Sequence, residues 1–129
     1  MLFRSHNYLG DILQRQGKVA EAVLEFRKAI EEKPDFPQAH FNMGRILVNQ
    51  GEYKQAIAEL LKTLSTDDKD LRPSYVYAIG AAYARADDRP NALRYLRLAR
   101  EQAAERQQAK LLEDIDHDLA ILAEGERPR

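Results

Sequence analysis

The chain is 129 residues long, 44% apolar and 32% charged, a composition that suits one packed domain and excludes a chain disordered throughout. Its 20 Lys and Arg against 21 Asp and Glu leave a net charge of −1, so the bulk attraction that nucleic acid or an anionic membrane exploits is missing. The absence of cysteine rules out a disulfide framework, a thiolate nucleophile and a cysteine metal site, and no apolar run approaches the roughly 20 residues of a membrane span.

The opening stretch, MLFRSHNY, lacks the apolar core of a signal peptide. As given, the chain is therefore expected in the cytoplasm; for a fragment of a longer precursor the location stays open. From Leu9 to Phe26 the segment LGDILQRQGKVAEAVLEF sets two glycines among helix formers, where Gly costs about 1 kcal/mol relative to Ala. Repetition accounts for them. Gly10 recurs as Gly44, Gly17 as Gly51, Ala22 as Ala56 and His6 as His40, each 34 residues on. Apolar positions follow the same offset: Leu9, Leu13, Val23, Phe26 and Ile30 correspond to Met43, Leu47, Ile57, Leu60 and Leu64. After a two-residue insertion, Gly80, Tyr83, Ala92, Leu96 and Ala99 take the places of Gly10, Leu13, Ala22, Phe26 and Ala29, with Asp87 at the turn glycine. A fixed period of this length marks stacked structural units.

Within the first copy Ala22, Val23, Phe26, Ala29 and Ile30 fall on one helical stripe. Each copy is therefore a pair of helices, with Gly17 and Gly51 in the turns, where a left-handed backbone suits glycine. Pro34 closes the first copy, and Pro37 and Pro73 suit the first turns of the helices that follow. Gly10, Gly44 and Gly80 are expected where the two helices of a unit approach closely, opposite the small residues Ala22, Ala56 and Ala92. Further on, Leu111, Leu112, Ile115, Leu119 and Leu122 form one more stripe, with Asp114, Asp116 and Asp118 largely off it. That segment reads as a capping helix on the last repeat. Gly125 is a plausible stop before a short polar tail, and strand signals are missing throughout.

With these residues in place, the sequence resembles the tetratricopeptide repeat family, whose pattern is an aromatic, Leu-Gly and Tyr, then Ala, Phe and Pro. Leu9, Gly10, Ala22, Phe26 and Pro34 match in the first copy, Gly44 and Ala56 in the second, and Gly80, Tyr83 and Ala92 in the third. His6, His40 and Val76 stand where the family prefers Trp, and Asp68 and Ala104 where it prefers Pro. The resemblance implies an all-α fold, an α-solenoid of three helix pairs with a C-terminal capping helix. Its repeats would occupy 3–36, 37–72 with a linker, and 73–106, followed by the capping helix at 107–124 and a disordered tail at 125–129.

The resemblance also implies a non-catalytic interaction module that holds a peptide or partner protein in a concave groove lined by the first helices. Carried across, the groove positions fall on Asn7, Asp11 and Gln14, then Phe41, Asn42, Arg45 and Asn49, then Tyr77, Ala81 and Arg85. Amides pair with an extended peptide's backbone, and rings and guanidinium groups are frequent binding hot spots. The competing reading is a solvated helix face. The family's carboxylate clamp for chaperone tails would fall on Asn7, Asp11, Asn42, Ser74 and Ala78, of which only Asn42 matches. Without the clamp's cations a carboxylate pair is not neutralised, so chaperone-tail binding is disfavoured.

Other chemistry is weaker. His6 and His40 occupy equivalent places where packing between helices explains both. His117, with Asp114 three residues before it, falls short of the four or so ligands of a structural metal site, so no metal is expected. Arg94, Arg97, Arg100 and Arg106 are interrupted by Glu101 and Glu105 and read as a solubilising outer wall rather than an RNA surface. No phosphate loop or nucleophile elbow is present, so neither enzymatic activity nor a cofactor is expected. Repeat one begins near Phe3 with no polar helix before it. This leaves two expectations: a fragment of a larger regulator or enzyme whose active part lies upstream, or self-association through the uncapped edge around Val19 and Val23.

Overall fold

The computed structural model describes residues 2–125; Met1 and residues 126–129, most of the expected tail, lie outside the described residues. The described residues form seven α-helices and one 3-10 turn, with no strand among them. The fold is all-α, three helix pairs followed by a seventh helix, in the manner of an α-solenoid. No helix among the described residues is long and apolar enough to cross a membrane. The chain divides into two compact units, Met1–Ser65 and Thr66–Arg129.

The first unit holds α1 (Leu2–Arg15), α2 (Val19–Glu32), α3 (Pro37–Asn49) and α4 (Tyr53–Leu61), the last running into a 3-10 turn at Lys62–Ser65. The stripe on α2 does what its spacing implies: Ala22, Phe26 and Ala29 are fully buried. Phe26 and Ala22 join Met43 and Ile46 of α3, with Leu13, Val23 and Ile30 packed against them. A second cluster gathers Ala29, Phe36 and Ala39, and the ring of Phe3 meets Phe36 edge-on at 5.2 Å between centroids.

The second unit holds α5 (Arg72–Arg85), α6 (Arg89–Glu105) and α7 (Ala109–Glu124). Tyr75, Val76, Ile79, Ala82, Ala92, Leu96, Ala99, Ala103 and Ile115 are its buried apolar residues. Helix α6 begins on Asp88, whose carboxylate accepts from the backbone N–H of Asn91 at 3.2 Å, an N-cap that satisfies one of the helix's free donors. Of the apolar stripe expected on α7, Ile115 is fully buried, and Leu111, Leu112, Leu119 and Leu122 are half-buried.

One turn is used repeatedly. Lys18 N–H donates to the Leu13 carbonyl and Gly17 N–H to the Gln14 carbonyl, the two bonds of a Schellman motif. Glu52 and Gly51, Asp88 and Asp87, and Gln108 and Gln107 repeat the pattern. The position in the left-handed region is glycine twice, Gly17 at φ 80° and Gly51 at φ 78°, but Asp87 at φ 62° and Gln107 at φ 57° adopt it without being glycine.

The buried glycines have a different cause, and here the structure differs from expectation. A Cβ on Gly10 would lie 2.6 Å from the Phe26 ring, one on Gly44 2.5 Å from Leu60, and one on Gly80 2.9 Å from Leu96. The residue facing each glycine is thus the large one a turn beyond Ala22, Ala56 or Ala92. The missing side chain admits a full-sized core residue from the second helix instead of matching a small one.

Candidate functional site

On α1, Asn7, Asp11 and Gln14 lie at helical spacing and are half-buried. On α3, Phe41 and Asn42 are half-buried, while Arg45 and Asn49 are exposed. The two helices meet on this face, where Asn42 Nδ2 donates to Asn7 Oδ1 at 3.0 Å. The Arg45 guanidinium stands 5.5 Å from the centroid of the Phe41 ring, and Asp11 pairs with Arg15 at 3.0 Å on the same helix. Asn7 and Asn42 thus meet across the two helices, while the Arg45–Phe41 and Asp11–Arg15 contacts each lie within one helix. All belong to sequence-selected positions except Arg15.

Tyr77 and Arg85 belong to the second unit, on α5. The Tyr77 hydroxyl donates to Asp118 Oδ2 on α7 at 2.6 Å. Burial, reinforced by that carboxylate, pushes its pKa well above the ordinary phenol value, so the group stays a neutral donor. Arg85 lines an open cavity of about 300 Å³ with Ala81, Ala84, Asp118, Ile121 and Leu122. Ile121 is 53% exposed, and Arg89 Nη2 donates to the Leu122 carbonyl at 3.0 Å, holding the end of α7. Asp118, Ile121 and Leu122 were not among the sequence-selected site residues. The available signal was position, since α7 follows α6 through the same turn that separates the earlier helices.

Three of the outer-wall arginines are engaged elsewhere. Arg100 pairs with Asp116 at 2.6 Å, Arg106 pairs with Asp70 at 2.8 Å, and Arg94 lies over the Tyr95 ring at 5.5 Å. His117 is exposed, while Asp114 pairs with Lys110 at 2.9 Å. Among the described residues no three His, Cys, Asp or Glu side chains converge on a possible metal position. Of the clamp positions, Asn7, Asp11 and Asn42 belong to the first unit, and Ser74 and Ala78 lie on α5 of the second.

His6 and His40 are more than packing residues. His40, 2% exposed, bonds through Nδ1 to Glu59 and through Nε2 to the Pro34 carbonyl, both at 2.7 Å. His6 Nδ1 meets Glu25 at 2.6 Å, and its Nε2 lies 3.7 Å from Glu32. Burial opposes a charge on His40, yet the bonds to Glu59 and Pro34 outweigh it, and its pKa is raised. The same bonds hold the Glu59 and Glu25 carboxyls below the usual carboxylate value, through His40 and His6 respectively.

No curated protein matches the chain. Among solved structures it is similar to the N-terminal domain of stress-induced protein-1 (STI-1) from C. elegans, at 15% identity and a TM-score of 0.72, covering 88% of this chain and 94% of that one. At that identity the likeness speaks for the fold. The model of the tetratricopeptide repeat matches residues 13–78, half of the chain. The chain therefore belongs to the tetratricopeptide repeat family, whose helix pairs generally serve as protein–protein interaction modules.

Proposed function

We propose that the protein is a non-catalytic module that binds an extended peptide segment of a partner on the α1–α3 face of its first unit. The supporting observation is the cross-helix bond between Asn42 and Asn7 beside the Arg45–Phe41 stack. The two amides hold each other and the guanidinium lies over the ring, and pre-ordered side chains lower the entropic cost of binding. Arg45 and Asn49 remain exposed to meet a partner. The Arg85 cavity beside α7 is a separate contact surface of the second unit. Peptides selected from a random library should perturb the amide resonances around Asn7, Phe41, Asn42 and Arg45. Arg45→Glu should weaken the selected peptide by about tenfold, an ordinary hot-spot effect. Perturbations confined to α2 and α4 would reject the assignment.

Self-association is the second reading. It draws on the apolar side chains that the paired helices α1 and α2 leave exposed: Leu2, Tyr8, Leu9 and Leu24 at 64%, 69%, 43% and 57%. Light scattering that finds only monomer from micromolar to millimolar concentration would remove it.

A further inference from the structure

The first unit contains the same histidine–carboxylate contact twice. His6 with Glu25 and His40 with Glu59 are each 19 residues apart in sequence, in equivalent places of successive repeats. In the third copy both positions change together: Val76 replaces the histidine and Tyr95 replaces the glutamate. Val76 is fully buried, and Tyr95 stacks on Tyr83 at 5.5 Å. The pair is thus a unit that one chain keeps in two repeats and replaces whole in the third.

His40 has the more demanding geometry. Both of its ring nitrogens face acceptors, the Glu59 carboxylate and the Pro34 carbonyl. A neutral imidazole carries one N–H, so only the imidazolium satisfies both. The charges around it are consistent with that form. Helix α4 supplies Glu59, and the 3-10 turn supplies Lys62, which opposes the charge more weakly. On α1 and α2, His6, Glu25, Glu32 and Lys28 engage one another. Asp35, in the turn between α2 and α3, accepts from the Ser65 hydroxyl at 2.6 Å.

We propose that His40 with Glu59 is a proton-operated latch. The doubly protonated ring of His40 ties α3 to α4 and to the α2–α3 turn, and loss of one proton releases the turn and slackens the α1–α3 face. The remaining N–H stays with the carboxylate, the stronger acceptor, and the Pro34 carbonyl is left facing a lone pair. An unsatisfied carbonyl beside a buried ring is relieved by opening to water. The face that slackens carries Asn42, two residues beyond His40, and Asn7, one beyond His6. Any effect on ligand binding rests on the function proposed above; the latch itself does not.

The sign follows from the two partners. His40, raised above 6.5, contributes stability that is complete below that value and is lost as pH rises through its folded pKa. Glu59, lowered from 4.5, contributes stability that is present above that value and is lost as pH falls through its folded pKa. The latch is closed between these limits.

The test uses the full chain without ligand. Imidazole nitrogen resonances followed from about pH 5 to about pH 9 should show His40 still doubly protonated where a free histidine has become neutral. Over the same range, amide exchange corrected for its intrinsic rate should rise at least about tenfold more at residues 33–40 than at the corresponding turn in the second unit. A neutral, single-tautomer His40 near pH 6.5, or equal exchange responses in the two units, would overturn the latch. Transplanting the third copy's pair, His40→Val with Glu59→Tyr, should flatten the response in the folded variant, and a persisting response would also overturn it. If the titration behaves as expected while selected peptides perturb other surfaces, the latch stands and the binding assignment fails.

Discussion

Asn42 and Asn7, 35 residues apart, share a 3.0 Å hydrogen bond that links the first helices of two successive repeats. Each is half-buried, so water does not fully replace the lost partner when one is removed. Asn42→Ala and Asn7→Ala should each cost about 0.5–1.5 kcal/mol, the usual net worth of such a bond. Because they remove the same interaction, the double variant should be barely less stable than either single one. Denaturant melts of the four proteins provide the check, and simple additivity would show that the amides act independently.

The contact between Gly44 and Leu60 gives a sharper prediction. In an isolated helix, Gly44→Ala would gain about 1 kcal/mol from propensity. Here the new methyl would lie 2.5 Å from Leu60, which is 1% exposed and closely packed. Overpacking of this kind costs about 1–3 kcal/mol, so Gly44→Ala should destabilise the protein in thermal melts. Gly44→Ala combined with Leu60→Ala should be less destabilised than the sum of the two, because the truncation removes the clash.

These two contacts mark how far the linear sequence carries. The period is visible because identical units impose identical local needs: Gly10, Gly44 and Gly80 recur since each must admit a large side chain from the helix that follows. What fills the space could not be read from glycine positions alone, because the alanine beside it and the Phe or Leu four residues on lie on the same stripe. His40 shows a second limit. An aromatic at that position packs, and a histidine there looks like a substitute, yet its role depends on Glu59, whose 19-residue separation no local pattern connects. Tyr77 shows a third. Its position on α5 was legible, but the hydroxyl's partner lies 41 residues on, in a helix read as a cap. Side chains that answer to a period are recoverable from sequence; those that answer to a particular neighbour in space are recoverable only once the helices are placed.

The four equivalent turns supply the last prediction. Gly17 and Gly51 adopt the left-handed region without a side-chain penalty, whereas Asp87 and Gln107 hold φ of 62° and 57° with a Cβ in place. That conformation costs an L-residue roughly 1–2 kcal/mol relative to glycine. Glycine also makes the unfolded chain more flexible, which returns about 0.4–1 kcal/mol of the gain. Gln107 is exposed, and its backbone bond to the Ala104 carbonyl is available to any residue. Gln107→Gly should therefore stabilise the protein by up to about 1 kcal/mol. Asp87→Gly should act in the same direction, since the carboxylate that caps α6 belongs to Asp88 and is untouched. Matched thermal melts decide the matter: a gain at both positions, with Gln107→Ala giving none, would locate the cost in backbone strain, and equal melting of Gly and Ala variants would remove strain as the cause.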